Sequence, residues 1–146
     1  MRRRGAGNGA AMHLTKGVEY GLEGILYLAR HHREEPALIR EISRATAIPE
    51  TFLSKIFQKL ATKGLIRSRR GFRGGFRLAR PARRITLREI VEALQGPIEF
   101  HRCLDHIRAG GHRGRCRVKR VFREAQRKVS AILDRTTLED ILEVNS

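Results

Sequence analysis

A chain of 146 residues is one domain, or one small domain with an appended helix, and it is long enough for only a modest core. Thirty-one Lys and Arg against 15 Asp and Glu leave a formal net charge of +16, which favours a polyanionic partner, and six Phe, two Tyr and no Trp leave the core to Leu, Ile, Val and Ala. No apolar run approaches the roughly 20 residues that span a bilayer, which excludes a membrane protein, and no apolar stretch follows "MRRRGAGNGA", which excludes a secretory signal.

Residues 1–11 read as a disordered basic arm, because Gly, Ala and Asn there have nothing to pack; Met12 is an alternative start. Residues 14–32 place Leu14, Val18, Leu22, Ile25, Leu26 and Ala29 at helical spacing. Gly17 and Gly21 lie four apart on that helix and allow another backbone to approach. Glu34–Pro36 breaks the pattern. Leu38, Ile42 and Ala45 then mark a short helix, and "TAIP" makes a tight turn with Pro49 at the start of the next helix. That helix, about residues 50–63, buries Leu53, Ile56 and Leu60 with Phe52 and Phe57 flanking, and Gly64 caps its end. Two short helices joined by a tight turn are a helix-turn-helix signature.

"LIRSRRGFRGGFRLARP" reads as strand, Gly-rich turn and strand, stopped by Pro81. A hairpin placed directly after a helix-turn-helix is the wing of a winged-helix domain. Thr86 and Glu89 form a capping box for a helix through Leu94, closed by Gly96-Pro97. A Gly-rich loop follows with both cysteines, Cys103 and Cys116. Val118, Val121, Phe122, Ala125, Val129, Ile132 and Leu133 then form a long apolar stripe on a basic helix. Thr137 and Asp140 cap a last short one. The predicted fold is mostly α with a small β-hairpin wing. It divides into the arm, a winged helix-turn-helix domain over 12–96, a cysteine-containing sensor loop over 97–117, and a dimerisation helix with C-terminal segment over 118–146.

The long stripe has little left to pack against in its own chain and points to a homodimer, whose twofold symmetry suits a palindromic DNA site. Residues 67–84 hold eight Arg and no acid. On the second helix of the helix-turn-helix, Thr51, Ser54, Lys55, Gln58, Lys59 and Thr62 fall off the apolar stripe. Gln suits adenine, Lys suits guanine, and Ser and Thr suit either. The wing tip brings Arg70 and Arg73 to phosphates or into a narrow minor groove. Double-stranded DNA is thus the expected partner. A charge-driven, non-specific nucleic-acid binder is the competing class, and competition with random DNA at physiological salt separates the two. No Gly-rich phosphate loop, Ser-His-Asp arrangement or paired-carboxylate motif is present, so an enzyme is not expected. Two cysteines without a secretory signal point to the cytoplasm, where such a pair serves metal or redox chemistry more often than a structural disulfide.

From Met12 to about Ile141 the chain resembles the family of small dimeric winged-helix regulators that includes the iron–sulfur-cluster regulator, the nitric-oxide-sensing repressor and the cysteine-metabolism repressor. The resemblance is carried by "MHLTKGVEYGL", "IPETFLSKIFQKLATKGLIRSRRGFRGGFRLARP", "ITLREIVEALQGP" and "LDRTTLEDIL". It implies homodimers on palindromic operators, with a repressor role, recognition positions at Thr51, Ser54, Lys55 and Gln58, and a minor-groove arginine at Arg70. It also implies iron ligands in the loop before the long helix. The usual three cysteines are two here, with His112 near the middle position and Lys119 where one branch has histidine. The better match is a branch holding a two-iron, two-sulfur cluster on two cysteines and two non-cysteine ligands of the partner's first helix, at positions matching Glu19 and Glu23. Histidine is expected at the second of these. The resemblance implies a redox, nitric-oxide or iron–sulfur sensor on Cys103 and Cys116, with Glu19 and His112 as further candidates and His106, His31 and His32 as the other histidines open to that role. Zinc on Cys103, His112 and Cys116, a Cys103–Cys116 disulfide, and a cofactor-free regulator remain alternatives.

Overall fold

The computed structural model describes residues 13–31, 34–71, 74–100 and 111–144, with side chains described from Arg117 onward in the last segment. Helix α1 spans Lys16–His31 and buries Val18, Gly21, Gly24, Ile25, Leu28 and Ala29. Its buried face differs from the expected stripe: Leu14 is exposed and Leu22 and Leu26 are half-buried. The glycines define that face. A Cβ on Gly21 would lie 2.3 Å from Leu94 Cδ1, and one on Gly24 would lie 2.7 Å from Phe57 Cε1. Close approach therefore involves Gly21 and Gly24 rather than Gly17, and the approaching groups are side chains rather than backbone.

Helix α2 (Ile39–Thr46) buries only Ile42, while Leu38 and Ala45 are exposed. Glu41 closes its start by accepting the Leu38 N–H at 2.7 Å. The turn to α3 (Glu50–Thr62) passes through Ala47 at φ 61° and ψ 22°, a left-handed residue with a side chain. Two bonds hold it there: Ala47 N–H donates to the Ser43 carbonyl at 2.8 Å, and the Ser43 hydroxyl donates to the Ile48 carbonyl at 2.6 Å. Leu53, Ile56, Phe57 and Leu60 carry α3 into the core. The two flanking Phe differ: Phe57 is fully buried, and Phe52 is 54 % exposed with its ring edge-on to Tyr20. Gly64 at φ +76° ends the helix as a left-handed C-terminal residue.

Strands β1 (Ile66–Arg69) and β2 (Gly75–Leu78) pair antiparallel, Ile66 opposite Leu78 and Arg67 opposite Arg77. Phe76 on β2 packs edge-on against Phe57 at 5.2 Å. The hairpin has a third neighbour that sequence reasoning missed: Ala37 and Phe76 exchange two backbone hydrogen bonds of 2.8 Å. Gly75 permits it, since any Cβ there would sit 2.5 Å from the Ala37 carbonyl oxygen.

A 3₁₀ turn (Ala82–Arg84) leads to α4 (Leu87–Gln95), which begins at the expected capping box: Thr86 Oγ1 accepts the Glu89 N–H at 3.1 Å, and Glu89 accepts the Thr86 N–H at 2.9 Å. Helix α5 (Gly111–Arg135) starts inside the segment expected to be loop, so His112 and Cys116 belong to its first turns. Helix α6 (Leu138–Val144) is capped reciprocally by Thr137 and Asp140, as their spacing predicts.

The chain forms two compact units. One joins Leu14–Gly96 to Leu133–Ser146; the described part of the other is His13, Pro97–Phe100 and α5 through Ile132. The C-terminal segment, grouped in the sequence with the dimerisation helix, thus packs with the winged helix-turn-helix. Leu138 is fully buried, its N–H donates to the Ile85 carbonyl at 2.9 Å, and Leu87 N–H donates to the Thr136 carbonyl at 2.8 Å.

Candidate nucleic-acid interface

Burying Leu53, Ile56, Phe57 and Leu60 forces the other side of α3 outward. Thr51, Lys55, Gln58, Lys59 and Thr62 are exposed, and Ser54 is half-buried. Thr51, Lys55, Gln58 and Thr62 recur every three or four residues and so form one row along the helix. The Thr62 hydroxyl donates to the Gln58 carbonyl at 2.8 Å, which leaves the Gln58 side-chain amide as the long hydrogen-bonding group at the middle of the row.

The hairpin stands beside this row. Between α3, the start of α2 and the strands lies a groove of about 680 Å³, lined by Gln58, Ala61, Thr62, Ser68, Arg69 and Arg70 among others. The groove brings the C-terminal half of α3 and the wing to one concave surface. At the wing tip Gly71 adopts φ +89° and its carbonyl accepts the Gly74 N–H at 2.9 Å, which turns the chain tightly beside the exposed Arg70. Arg73 lies outside the described residues.

The candidate metal ligands are placed less completely. Glu19 is exposed in the first turn of α1, with a carboxylate oxygen 3.1 Å from Lys16 Nζ, and that contact raises the Lys16 ammonium above its ordinary value. Glu23 is exposed one turn further along, and the His31 ring lies against Tyr27 at 4.7 Å. Cys103, His106 and His32 lie outside the described residues. His112 and Cys116 are placed only as backbone positions of α5, four residues apart and thus on one helix face. Among the described residues no group of three or more His, Cys, Asp or Glu is placed to hold a metal ion, and no helix is long and apolar enough to cross a membrane.

Sequence reasoning counted the arginines of residues 67–84 but not the row that three of them form on the wing's strands. Arg67, Arg69 and Arg77 are exposed, and the strand register puts them on one face. The signal was the two-residue period of a strand, which separates them from Ile66, Ser68, Phe76 and Leu78 on the other face.

A recognition-type helix exposed beside an arginine-rich hairpin on a helix-turn-helix defines a winged-helix DNA-binding transcriptional regulator. Residues 14–144 match the Rrf2 family, described as iron-dependent transcriptional regulators, and the chain belongs to that family. It is 32 % identical over 132 residues to the HTH-type transcriptional repressor NsrR of Streptomyces coelicolor, covering 90 % of this chain and 88 % of that one. To the HTH-type transcriptional regulator IscR of Xenorhabdus nematophila it is 29 % identical over 131 residues, covering 90 % and 79 %. Among solved structures, CymR, the global cysteine regulator of B. subtilis, superposes with a TM-score of 0.74 at 28 % identity, covering 91 % of this chain and 98 % of that one. IscR of T. potens superposes at 0.72 and 27 %, covering 92 % and 89 %.

Proposed function

We propose that this regulator is a homodimeric repressor of palindromic operators, acting in the cytoplasm. Thr51, Ser54, Lys55, Gln58 and Lys59 read base edges in the major groove, and Arg70 and Arg73 enter the adjacent minor groove or hold its phosphates. The observation that carries the reading is the exposed Thr51–Lys55–Gln58–Thr62 row beside the arginine-lined groove. Dimerisation is supported by α5: Val121 is 63 % and Ile132 49 % exposed on a helix whose stripe also holds Val118, Phe122, Ala125 and Val129.

The signal enters at Cys103 and Cys116. Their thiolates suit iron, and Glu19 adds an exposed carboxylate on the first helix. The Lys16–Glu19 pair is exposed to solvent, where ion pairs are weak, so little opposes release of that carboxylate to another cation. A bound two-iron, two-sulfur cluster supplies one-electron chemistry and reactivity toward nitric oxide. His112 and Cys116, one turn apart on α5, favour zinc as a second reading, because two ligands at that spacing chelate from one face.

Two experiments test this. Selection from a random-sequence DNA pool should enrich a palindrome that survives excess competitor at physiological salt; enrichment of none refutes sequence-specific reading. Protein isolated without oxygen should show visible absorption, iron and sulfide, all lost in Cys103→Ala while that variant still binds the selected DNA. A colourless, iron-free protein refutes the cluster, and zinc in its place supports the second reading.

A further inference from the structure

Where β2 leaves the hairpin, at the end away from the wing tip, the surface opens into a concavity of about 530 Å³. It is walled by α1 at Ala29, by Leu78 and Ala79 at the end of β2, by the 3₁₀ turn and by α6. That volume falls within the roughly 300–1,000 Å³ of small-molecule sites. Its apolar lining is aliphatic: Ala29 is buried, and Leu78, Ala82 and Leu142 are half-buried. In a chain of net charge +16 its charges are balanced, with Arg80 and Arg83 set among Glu139 and Glu143. Arg80 is already committed, since Nη1 donates to the Arg84 carbonyl at 2.8 Å and Nη2 to Glu89 at 2.9 Å. Arg83 and Glu139 are not: among the described residues no ion pair includes either, although both line the same concavity. Opposite charges that share a lining without closing on each other leave two ionic contacts open to an occupant, one of each sign. The carboxylates argue against a nucleic acid there.

We propose that this concavity binds a small zwitterion with an aliphatic body, a free amino acid or a short peptide. The Arg83 guanidinium takes the ligand's carboxylate as a planar fork, and the Glu139 carboxylate takes its ammonium. The aliphatic lining removes the ligand's side chains from water. An occupant touches both the segment that joins the wing to α4 and the C-terminal helix, so it stabilises the fold in which the two lie together. The site shares no residue with the recognition row or with the groove beside it, and it stands independently of the DNA-binding reading.

The test titrates the full chain with L-leucine and with L-leucyl-L-leucine at millimolar concentration, read by backbone amide shifts. N-acetyl-leucyl-leucine, which lacks the ammonium, and leucyl-leucinamide, which lacks the carboxylate, are titrated beside them. Shifts should appear at Ala29, Ala79, Ala82 and Leu142. An exposed ionic contact is worth up to about fivefold in affinity, so Arg83→Gln should weaken the dipeptide by about two- to fivefold and leave leucyl-leucinamide unchanged. Glu139→Gln should weaken the dipeptide alike and leave the acetylated form unchanged. Arg84→Gln, exposed and outside the lining, should bind as the parent does. Ala82→Leu, which fills the lining without changing charge, should abolish binding; if that variant does not fold, the two charge variants decide. Tighter binding of leucine assigns the site to free amino acids, and tighter binding of the dipeptide assigns it to peptides. The proposal is overturned by shifts that are absent or lie elsewhere, by equal affinity for the dipeptide and its two blocked forms, or by parental binding in Arg83→Gln and Glu139→Gln.

Discussion

Gly24→Ala should destabilise the protein although alanine is the better helix former. On propensity alone the change favours α1 by about 1 kcal/mol. The added Cβ, however, would lie 2.7 Å from Phe57 Cε1, 3.0 Å from its Cζ and 3.4 Å from Leu53 Cδ2. Carbon atoms attract best at about 3.5–4.0 Å, so the methyl group intrudes on the ring by about 1 Å. Overpacking of this kind costs about 1–3 kcal/mol. Phe57 has no room to turn aside, being fully buried and held edge-on by Phe76 at 5.2 Å, so the upper half of that range applies. The net loss should be about 1–2 kcal/mol, and at this length each kcal/mol moves Tm by about 2–4 °C. Gly17→Ala is the internal control: the nearest atom to its Cβ is Thr15 Oγ1 at 3.6 Å, so it should gain about 0.5 kcal/mol. Urea unfolding followed by far-UV circular dichroism measures both. A Gly24→Ala protein as stable as the parent, or a Gly17→Ala protein equally weakened, would refute the packing argument.

Ala47→Gly should stabilise by about 1 kcal/mol, because the left-handed conformation costs an alanine about 1–2 kcal/mol and glycine nothing, less the added freedom of the unfolded chain; the same unfolding assay reads it, and a loss of stability counts against the strain. Burial tends to raise the Glu89 carboxyl, but the Thr86 N–H and the Arg80 guanidinium outweigh it and hold the group below its ordinary value of 4.5. A carboxyl depressed in the folded state adds stability above its unfolded value, and that stability is lost as pH falls through the folded value. Glu89→Gln should therefore narrow the stability gap to the parent below about pH 4.5 and show its full deficit near neutrality, as thermal melts across pH report; a deficit independent of pH would contradict the assignment. Gln58→Ala should cost about 1–3 kcal/mol on the selected operator and nothing on random DNA, measured by fluorescence anisotropy; equal losses on both would remove Gln58 from base reading.

The local elements were the legible part of the fold, because their signals are self-contained. The Thr86–Glu89 and Thr137–Asp140 pairs each specify a helix start within four residues, and Gly64 specifies an end. The helix-turn-helix and wing follow from α3 and the Arg- and Gly-rich hairpin, and the exposed row of α3 follows from counting off its buried positions. What escaped depends on partners distant in sequence. The buried face of α1 is set by where Leu94 and Phe57 need room, which no spacing within α1 reveals. The Ala37–Phe76 pairing joins two segments far apart in the chain. Ala47 is the exception: the Ser43 and Ile48 contacts that hold it are local, and it escaped because residue preference assigns its left-handed conformation to glycine. The basic face of the wing required the register, since Arg67 and Arg77 become neighbours only when Ile66 is set against Leu78. For the cysteine segment the sequence offered ligands but no reason for α5 to begin at Gly111, because Gly is a poor helix former.

The return of residues 133–144 to the winged unit makes residues 97–132 an excursion whose two ends are both sewn into the DNA-reading half. One seam is the Gly96 exit at φ +89°; the other is the Thr86–Thr137 bridge, with Arg88 reaching Asp134 at 2.8 Å and Leu138 sealed beneath. No single cut in the chain therefore releases an intact reader: a fragment ending at Gly96 would lack Leu138 and leave the Ile85 carbonyl without its donor. Residues 97–132 thus leave and re-enter the reader at two separate points of its chain, Gly96 and Leu133.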